Sequence, residues 1–182
     1  EMDAYCISKL YADWKGLSQT AITTALSVDN ILDTIDDMFV DQSEHRVTPT
    51  GRILYVTPTV AKLIRNARAI DRQISISNFG GRVTRDVNAI DNVIIEEVPS
   101  ELMQTAYDFS EGWKKGVSAK QINMLLVDPN AVITPVSYSA ARLDPPSAGS
   151  KNKWVYFEES YEDVFILNQK VHGLKFHCET GA

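Results

Sequence analysis

The three histidines are the side chains in this sequence best suited to metal binding or proton transfer. His45 falls in a polar loop of residues 42–51, and His172 and His177 are five residues apart on a predicted strand. Residues an odd number apart on a strand point to opposite faces, so these two imidazoles are not expected to share one metal ion. The sequence therefore predicts no metal site.

The cysteines and the glycine-rich segments also lack the spacing that catalysis requires. Cys6 and Cys178 lie at opposite ends of the chain and fit no redox or zinc motif, so we expect free thiols in a reducing compartment. No serine occupies a G-x-S-x-G motif, and there is no dinucleotide fingerprint or Walker loop. The pair Gly80–Gly81 favours a hairpin turn over a phosphate loop. We therefore predict a protein that is not an enzyme, with no catalytic residues and no cofactor.

Carboxylates crowd two segments, and both patterns favour solvated charge over catalysis. The first set is expected to form an acidic turn between strands and consists of Glu158, Glu159, Glu162 and Asp163. The second set lies on one face of a predicted helix and consists of Asp29, Asp33, Asp36, Asp37 and Asp41. That set lacks the central glycine and closing glutamate of an EF-hand loop, which leaves a solvated acidic face or a charge-complementary protein contact.

The net charge of −6 lies entirely in the first quarter of the chain. Residues 1–50 hold nine acidic and three basic residues, whereas residues 51–182 hold fifteen of each. Residues 60–90 are locally basic, through Lys62, Arg65, Arg68, Arg72, Arg82 and Arg85. Nucleic-acid-binding domains are usually basic overall, so the charge balance argues against a protein built to grip nucleic acid. A local contact with nucleic acid, a solvated surface and an intersubunit surface all stay open for this segment.

The segment Gly51–Ala67 is the clearest structural element that could position such surfaces. Its residues 53–56 are all apolar, which indicates a strand covered on both faces. Thr57 is predicted to cap the following helix with its side-chain oxygen, and Pro58 suits the first helical position. The residues Val60, Leu63, Ile64 and Ala67 then recur at the spacing of one helix face.

The remaining elements are predicted from apolar periodicity and turn residues. Helices are predicted over residues 1–17 and from an N-cap at Ser27 to about Asp41. Strands are predicted at 93–98, 122–127 and 131–138, with hairpins at 73–77 with 82–88 and at 164–167 with 171–176. Residues 111–120 and 139–152 are predicted to be an exposed and a flexible loop.

The composition indicates a folded protein with a substantial core. The chain has 182 residues, of which 44% are hydrophobic and 23% charged, so global disorder is excluded. No apolar run approaches the length of a transmembrane helix. The chain begins at Glu1 without a basic, apolar leader, so we expect a soluble fragment or processed chain without an export signal.

The order of these elements resembles that of the tailed-phage major capsid proteins, whose Hong Kong 97-type fold is shared with encapsulins. The resemblance rests on EMDAYCISKL, GRILYVTP and its helix, VIIEEVPSELM, INMLLVDPNAVITPV, a Pro/Gly loop and YEDVFILNQKVHGLKFH. It implies an α+β fold with an axial domain at residues 17–130, built around a central mixed sheet of 52–56, 93–98 and 122–127. Residues 1–16 and 131–182 would belong to a peripheral domain, with the end of a spine helix and long antiparallel strands. The N-terminal arm and extended loop of the family have no counterpart in these residues, so we expect this fragment to be monomeric or weakly associated.

The resemblance implies a structural subunit of a phage or prophage icosahedral capsid, self-assembling into hexamers and pentamers around double-stranded DNA. Expected partners are copies of itself, scaffold and portal proteins and, non-specifically, packaged DNA, with no membrane. The expected location is the virion capsid, and the bacterial cytoplasm during assembly. Candidate subunit contacts, from the charge distribution, are Asp29, Asp33, Asp36, Asp37, Lys62, Arg65, Arg68, Arg72, Arg82 and Arg85. An encapsulin-like nanocompartment shell is the second hypothesis, followed by a small α/β enzyme and a nucleic-acid-binding module.

Overall fold

A five-stranded mixed sheet forms the centre of the fold. The computed structural model describes residues 2–67, 75–76, 83–84, 89–90, 93–110 and 112–180. The helices are α1 (Met2–Gly16), α2 (Ile31–Glu44) and α3 (Pro58–Asn66), with short 3-10 helices at Ser100–Leu102, Pro129–Ala131 and Asn168–Gly173. The strands are β1 (Ile53–Val56), β2 (Ser75–Ile76), β3 (Val83–Thr84), β4 (Ala89–Ile90), β5 (Val93–Glu97), β6 (Tyr107–Asp108), β7 (Lys114–Lys115), β8 (Ile122–Val127), β9 (Val132–Ile133), β10 (Val136–Asp144), β11 (Val155–Glu162), β12 (Phe165–Ile166) and β13 (Leu174–Cys178). The order in the central sheet is β13-β8-β1-β5-β4.

The middle strand β1 separates two apolar layers. It runs parallel to β5 and antiparallel to β8, as expected for the centre of a mixed sheet. Leu54 and Val56 are fully buried against α2 and α3, whereas Ile53 and Tyr55 are half-buried on the side of α1. The predicted strand is confirmed, and its second face is only partly covered.

Helix α3 follows β1 directly, as predicted, but its cap differs. Pro58 occupies the first turn, and Val60, Ile64 and Ala67 are buried. Thr57 has the extended backbone of a capping residue, yet its side chain accepts no hydrogen bond from the helix. Its buried Oγ1 has no hydrogen-bond partner among the described residues.

Helix α2 begins three residues later than predicted. Residues 28–30 form a turn in which the Ser27 N–H donates to Oδ1 of Asn30 at 2.7 Å. Because the Asn30 side chain closes this turn, Asn30 and not Ser27 occupies the position before the helix. Residues Ile31, Ile35 and Met38 bury the apolar face, as the periodicity indicates.

Helix α1 packs on the opposite side of the sheet through aromatic side chains. The Trp14 indole N–H donates to the Leu174 carbonyl at 3.0 Å, which satisfies its only donor inside the core. The Trp14 and Phe176 rings have centroids 4.9 Å apart, and the Tyr11 ring meets Phe176 edge-on at 5.3 Å. These contacts bind α1 to the last strand of the sheet.

The predicted hairpin of residues 164–167 with 171–176 is wrong. β12 pairs with β9, whereas β13 pairs with β8 at the edge of the central sheet. Residues Asn168–Gly173 form a 3-10 helix with Val171 and Gly173 buried, so the gap that looks like a turn is a packed connection. The predicted strand 131–138 is likewise two strands, β9 and β10, on either side of Pro135.

Strands β10 and β11 form a long ribbon that the sequence only partly indicates. β10 continues to Asp144, so residues 139–144 are not a loop; their pairing with β11 outweighs the low strand propensity of Ser and Ala. Glu158, Glu159 and Glu162 lie on β11 and not in an acidic turn. Residues 114–115 pair with β6, so the predicted loop 111–120 contains a short strand.

The fold class is confirmed as helices around a mixed central sheet. The strands predicted at 93–98 and 122–127 flank β1, and β4 and β13 extend the sheet. The predicted hairpin of 73–77 with 82–88 is present at Ser75–Ile76 with Val83–Thr84. The rest of that hairpin, with its glycine pair, lies outside the described residues. The division into an axial and a peripheral domain stays a prediction.

Candidate subunit interface

The ribbon of β10 and β11 carries most of the large apolar side chains that are exposed on the described surface. Its strands have nine and eight residues and pair in antiparallel register. The exposed side chains on the ribbon and just before it are Val136, Tyr138, Leu143, Trp154, Val155, Tyr156, Phe157 and Tyr161. Trp154 and Tyr156 are 64% and 63% exposed, which is unusual for residues of this size.

The register places the aromatic residues on the two faces of the ribbon unequally. Tyr138 pairs with Tyr161, and their ring centroids are 5.8 Å apart. Phe157 and Val155 are an even number of residues from Tyr161 along β11, so their side chains lie on the same face of the ribbon. We call these four residues the aromatic face. The opposite face has Leu143 paired with Tyr156, next to small serine and alanine side chains.

Carboxylates border the aromatic residues on both faces. The Tyr161 hydroxyl donates to Glu159 at 2.6 Å, and the Tyr156 hydroxyl donates to Glu158 at 2.8 Å. Each hydrogen bond raises the pKa of its tyrosine, because the carboxylate stabilises the protonated phenol. Apolar rings beside charged groups are typical of a contact surface with a polar rim.

A two-stranded ribbon with two exposed faces is marginally stable in water by itself. Contiguous exposed apolar surface of this kind commonly marks a site of protein–protein contact. The ribbon is therefore the strongest candidate for an intersubunit surface in the described part of the chain.

The acidic residues of α2 form a second exposed surface. Asp29 precedes the helix, and Asp33, Asp36 and Asp37 face solvent, as predicted. Asp41 differs, because it is half-buried and its Oδ2 lies 2.5 Å from Nζ of Lys175. The acidic face is thus confirmed as solvated for its first four members, and its role as a contact stays a prediction.

The basic candidates are less completely placed. Lys62 is exposed on α3, and Arg65 forms an ion pair with Glu97 of the same chain. Helices α2 and α3 share one apolar cluster on the same side of the sheet, so the acidic residues of α2 and the two described basic residues lie in one layer. The other four candidates, Arg68, Arg72, Arg82 and Arg85, lie outside the described residues.

An apolar cavity of about 430 Å³ lies between α1 and the central sheet. Its walls include Cys6, Leu10, Tyr55 and Leu125, and burial raises the pKa of the Cys6 thiol. A neutral thiol is a poor nucleophile, so this lining fits an apolar group better than a reacting substrate. Elsewhere, none of the helices in the described ranges is long and apolar enough to cross a bilayer.

Only part of the ribbon is predicted from the sequence: the resemblance implies long antiparallel strands, but the strand predicted from the residues stops at Tyr138. Val136, Tyr138 and Ala140 alternate with Ser137 and Ser139, which is the period of a strand, and this signal extends into the segment predicted to be a loop. Continuing the alternation past Tyr138 would have found β10.

Solved phage structures share this fold over nearly the whole chain. The chain is similar to a structure from Mycobacterium phage Che8, with a TM-score of 0.62 and 13% identity, covering 97% of this chain and 57% of that chain. It is similar to the asymmetric unit of the bacteriophage PhiM1 mature capsid, with a TM-score of 0.59 and 13% identity over 89% of this chain and 51% of that chain. The capsid of cyanophage P-SCSP1u gives a TM-score of 0.63 and 12% identity over 96% of this chain and 61% of that chain. No family model and no curated protein matches the sequence.

These comparisons confirm a capsid-type fold. The chain spans between 51% and 61% of the length of the three chains compared.

Proposed function

We propose that this chain is the larger part of a bacteriophage major capsid protein and acts as a structural subunit of the shell. The observation that carries the proposal is the similarity to two phage capsids over 89% and 96% of the chain. Identity of 12–13% conveys the fold alone, so the function rests on the surfaces that the fold presents.

The ribbon supports the proposal because its exposed aromatic residues need a partner. In a shell, each subunit contacts several copies through different patches, so an extended apolar arm can lie on a neighbour without closing a dimer. Burying an exposed aromatic side chain contributes about 1.5–3 kcal/mol at full burial, so the four residues of the aromatic face would supply several kcal/mol per contact.

Charge complementarity would set the register of the contacts. The acidic face of α2 in one copy would approach Lys62 and the basic segment after it in the next copy. Exposed ion pairs contribute only about 0–1 kcal/mol each, so they would tune encounter and orientation while the ribbon supplies affinity.

The same proposal extends to the architecture of the particle. Residues 17–130 would form an axial domain, and residues 1–16 with 131–182 a peripheral domain. Copies would assemble into hexamers and pentamers around double-stranded DNA in the virion, with scaffold and portal proteins as partners during assembly in the bacterial cytoplasm.

The ribbon is tested in a protein extended to the full length of the similar phage chains. Tyr138→Ser with Phe157→Ser removes two members of the aromatic face, and Ser139→Ala with Ser160→Ala changes the opposite face as a matched control. Sedimentation and negative-stain electron microscopy should show particles for the unchanged protein and the control, and free subunits for the aromatic-face variant. Normal particles from that variant would refute the role of the ribbon, and failure of the unchanged protein to assemble would refute the proposed function.

The charged surface is tested separately in the same extended protein. Asp33, Asp36 and Asp37 are changed together to lysine, and the charge-matched control changes the exposed Glu101, Asp108 and Glu179 to lysine. We expect impaired assembly only in the first variant, because it alone reverses the acidic face. Normal shells in electron micrographs of that variant would refute this contact.

A further inference from the structure

Two segments that are distant in sequence bring a carboxylate and two imidazoles together at the end of α2. Asp41 and His45 are one helical turn apart, and His172 lies in the 3-10 helix that precedes β13. One ligand atom from each of the three side chains lies within 4.8 Å of the other two. The sequence places His172 and His177 on opposite faces of one strand and therefore predicts no metal site. In the structure the strand begins only at Leu174, and the ring of His172 stacks on the ring of His45 instead.

The donors are near one another but are not yet arranged around an ion. Ligand atoms around a tetrahedral zinc ion are roughly 3.3 Å apart, since each lies about 2.0–2.1 Å from the metal. Here the two imidazole rings are stacked, with centroids 3.7 Å and planes 9° apart, so their in-plane lone pairs do not converge, and Nδ1 of His45 forms a 2.7 Å hydrogen bond with the Asp41 carbonyl. Metal binding therefore requires the His45 ring to turn out of the stack, and its side chain is 40% exposed and has room to do so.

His172 also has an unused donor atom at this site. Its Nδ1 is buried and has no hydrogen-bond partner among the described residues. A buried polar atom without a partner is unfavourable, and a metal ion bound there would satisfy it.

A cavity adjoins the cluster on its open side. It has a volume of about 270 Å³, and its lining includes Thr48, Asp128 and Asn130 together with His45 and His172. Three protein ligands and a space for water match a site in which the fourth position is open.

Lys175 opposes cation binding at this site. Its ammonium Nζ lies 2.5 Å from Oδ2 of Asp41, and Arg46 and Lys170 also line the cavity. A metal ion must therefore displace the ammonium or use the other carboxylate oxygen, which limits the affinity.

We propose that Asp41, His45 and His172 form a binding site for a divalent transition-metal ion of the zinc class. Two imidazole nitrogens and one carboxylate oxygen suit zinc, cobalt or nickel better than magnesium or calcium. The ion would join the end of α2 to the segment that leads into β13, and so connect the early part of the chain to its last strand.

The test measures binding of Zn²⁺ to untagged protein by isothermal titration calorimetry, and the visible absorption of added Co²⁺. We expect one equivalent of metal per chain, a d–d absorption band, and a melting temperature that rises with Zn²⁺ and falls back with EDTA. His45→Ala and His172→Ala should each weaken binding at least about tenfold, because even second-shell partners of a metal typically contribute 10–100-fold. Asp37→Asn, an exposed acidic residue on the same helix, is the matched control for Asp41→Asn.

Lys175→Met gives a readout that a purely structural cluster would not show. Removing the competing ammonium should tighten Zn²⁺ binding, whereas the variants of the three ligands weaken it. Circular dichroism verifies that each variant is folded. His45→Ala removes an exposed side chain, so we expect this variant to fold normally. Absence of the Co²⁺ band in the unchanged protein, wild-type affinity in both histidine variants, or unchanged affinity in Lys175→Met would each overturn the proposal.

Discussion

Replacing Arg52 with methionine should destabilise the protein strongly. Arg52 is 2% exposed, and its guanidinium donates to the carbonyls of Thr48 at 2.9 Å and Val47 at 2.7 Å. It also donates to the Phe39 carbonyl at 3.3 Å and to Oγ of Ser43 at 3.2 Å, both near the end of α2. One side chain therefore holds the helix end and the following loop together beside β1.

The expected loss follows from the carbonyls that would be left without this donor. The Phe39 carbonyl keeps a bond from Ser43 Oγ at 2.8 Å, so the carbonyls of Val47 and Thr48 bear most of the cost. These two bonds are part-buried, and a buried acceptor without a partner costs about 1–3 kcal/mol, so we expect a loss of about 3 kcal/mol for Arg52→Met. In a domain of this size, that corresponds to a fall in Tm of roughly 6–12 °C.

Urea denaturation followed by circular dichroism measures this loss. Arg52→Lys should lose about half as much, because a single ammonium can reach only some of the acceptors but keeps the charge. Arg46→Met changes an exposed arginine of the same loop and should stay within about 0.5 kcal/mol of the unchanged protein.

A loss below about 1 kcal/mol for Arg52→Met would refute the reasoning. It would mean that water replaces the guanidinium at these carbonyls without cost, so that the loop is not held by Arg52. Equal losses for Arg52→Met and Arg46→Met would refute it as well.

Three further predictions concern close packing and buried titratable groups. In Gly173→Ala, the new Cβ would lie 2.5 Å from the Cβ of Ala131, so thermal denaturation should show a loss of about 1–3 kcal/mol in the free energy of unfolding. Gly149→Ala is the control, because the nearest atom to its new Cβ is 3.8 Å away, and it should show almost no loss. Burial raises the pKa of Cys178 to about 11 from its usual 9.0, so its stabilising contribution should be complete below pH 9 and lost as the pH rises towards 11. Denaturation midpoints at pH 8 and 10.5 measure this loss of stability. Thiol labelling at pH 8, before and after unfolding, measures how far folding protects Cys178, and rapid labelling in the native protein would contradict the prediction. Burial lowers the pKa of His177 below its usual 6.5. The stabilising contribution of the neutral imidazole should therefore be complete above pH 6.5 and decrease as the pH falls further. The free energy of unfolding, measured between pH 7.5 and 5, should decrease less steeply in His177→Gln than in the unchanged protein.

The central part of the fold could be predicted because local signals and tertiary contacts agree there. The four apolar residues Ile53–Val56 and the following Thr57–Pro58 specify a strand that leads into a helix, whichever partners surround them. The caps were less predictable, because the choice between Ser27 and Asn30 depends on a side-chain hydrogen bond that the residue types alone do not decide.

The pairing of the ribbon and the histidine cluster could not be predicted, because each depends on contacts between distant segments; the alternation of residues 136–140 indicates only that β10 is extended. Ser and Ala residues in β10 are held extended by β11, and a single-sequence pattern contains no information about that partner. The spacing of Asp41 and His45 does place them on one helix face, but the position of His172 follows only from the path of the 3-10 helix.

The edge of the central sheet is formed by the last strand, and this affects the order of folding during synthesis. β13 adds to β8, and Ile22 then exchanges backbone hydrogen bonds with Phe176 and Cys178, which covers the new edge. Contacts between segments so far apart form late, because closing a long loop costs entropy before any contact is gained. On the ribosome, β8 therefore keeps an open, apolar edge until residues 174–178 have been made. When many copies are translated side by side, pairing between β8 strands of different nascent chains competes with the arrival of β13.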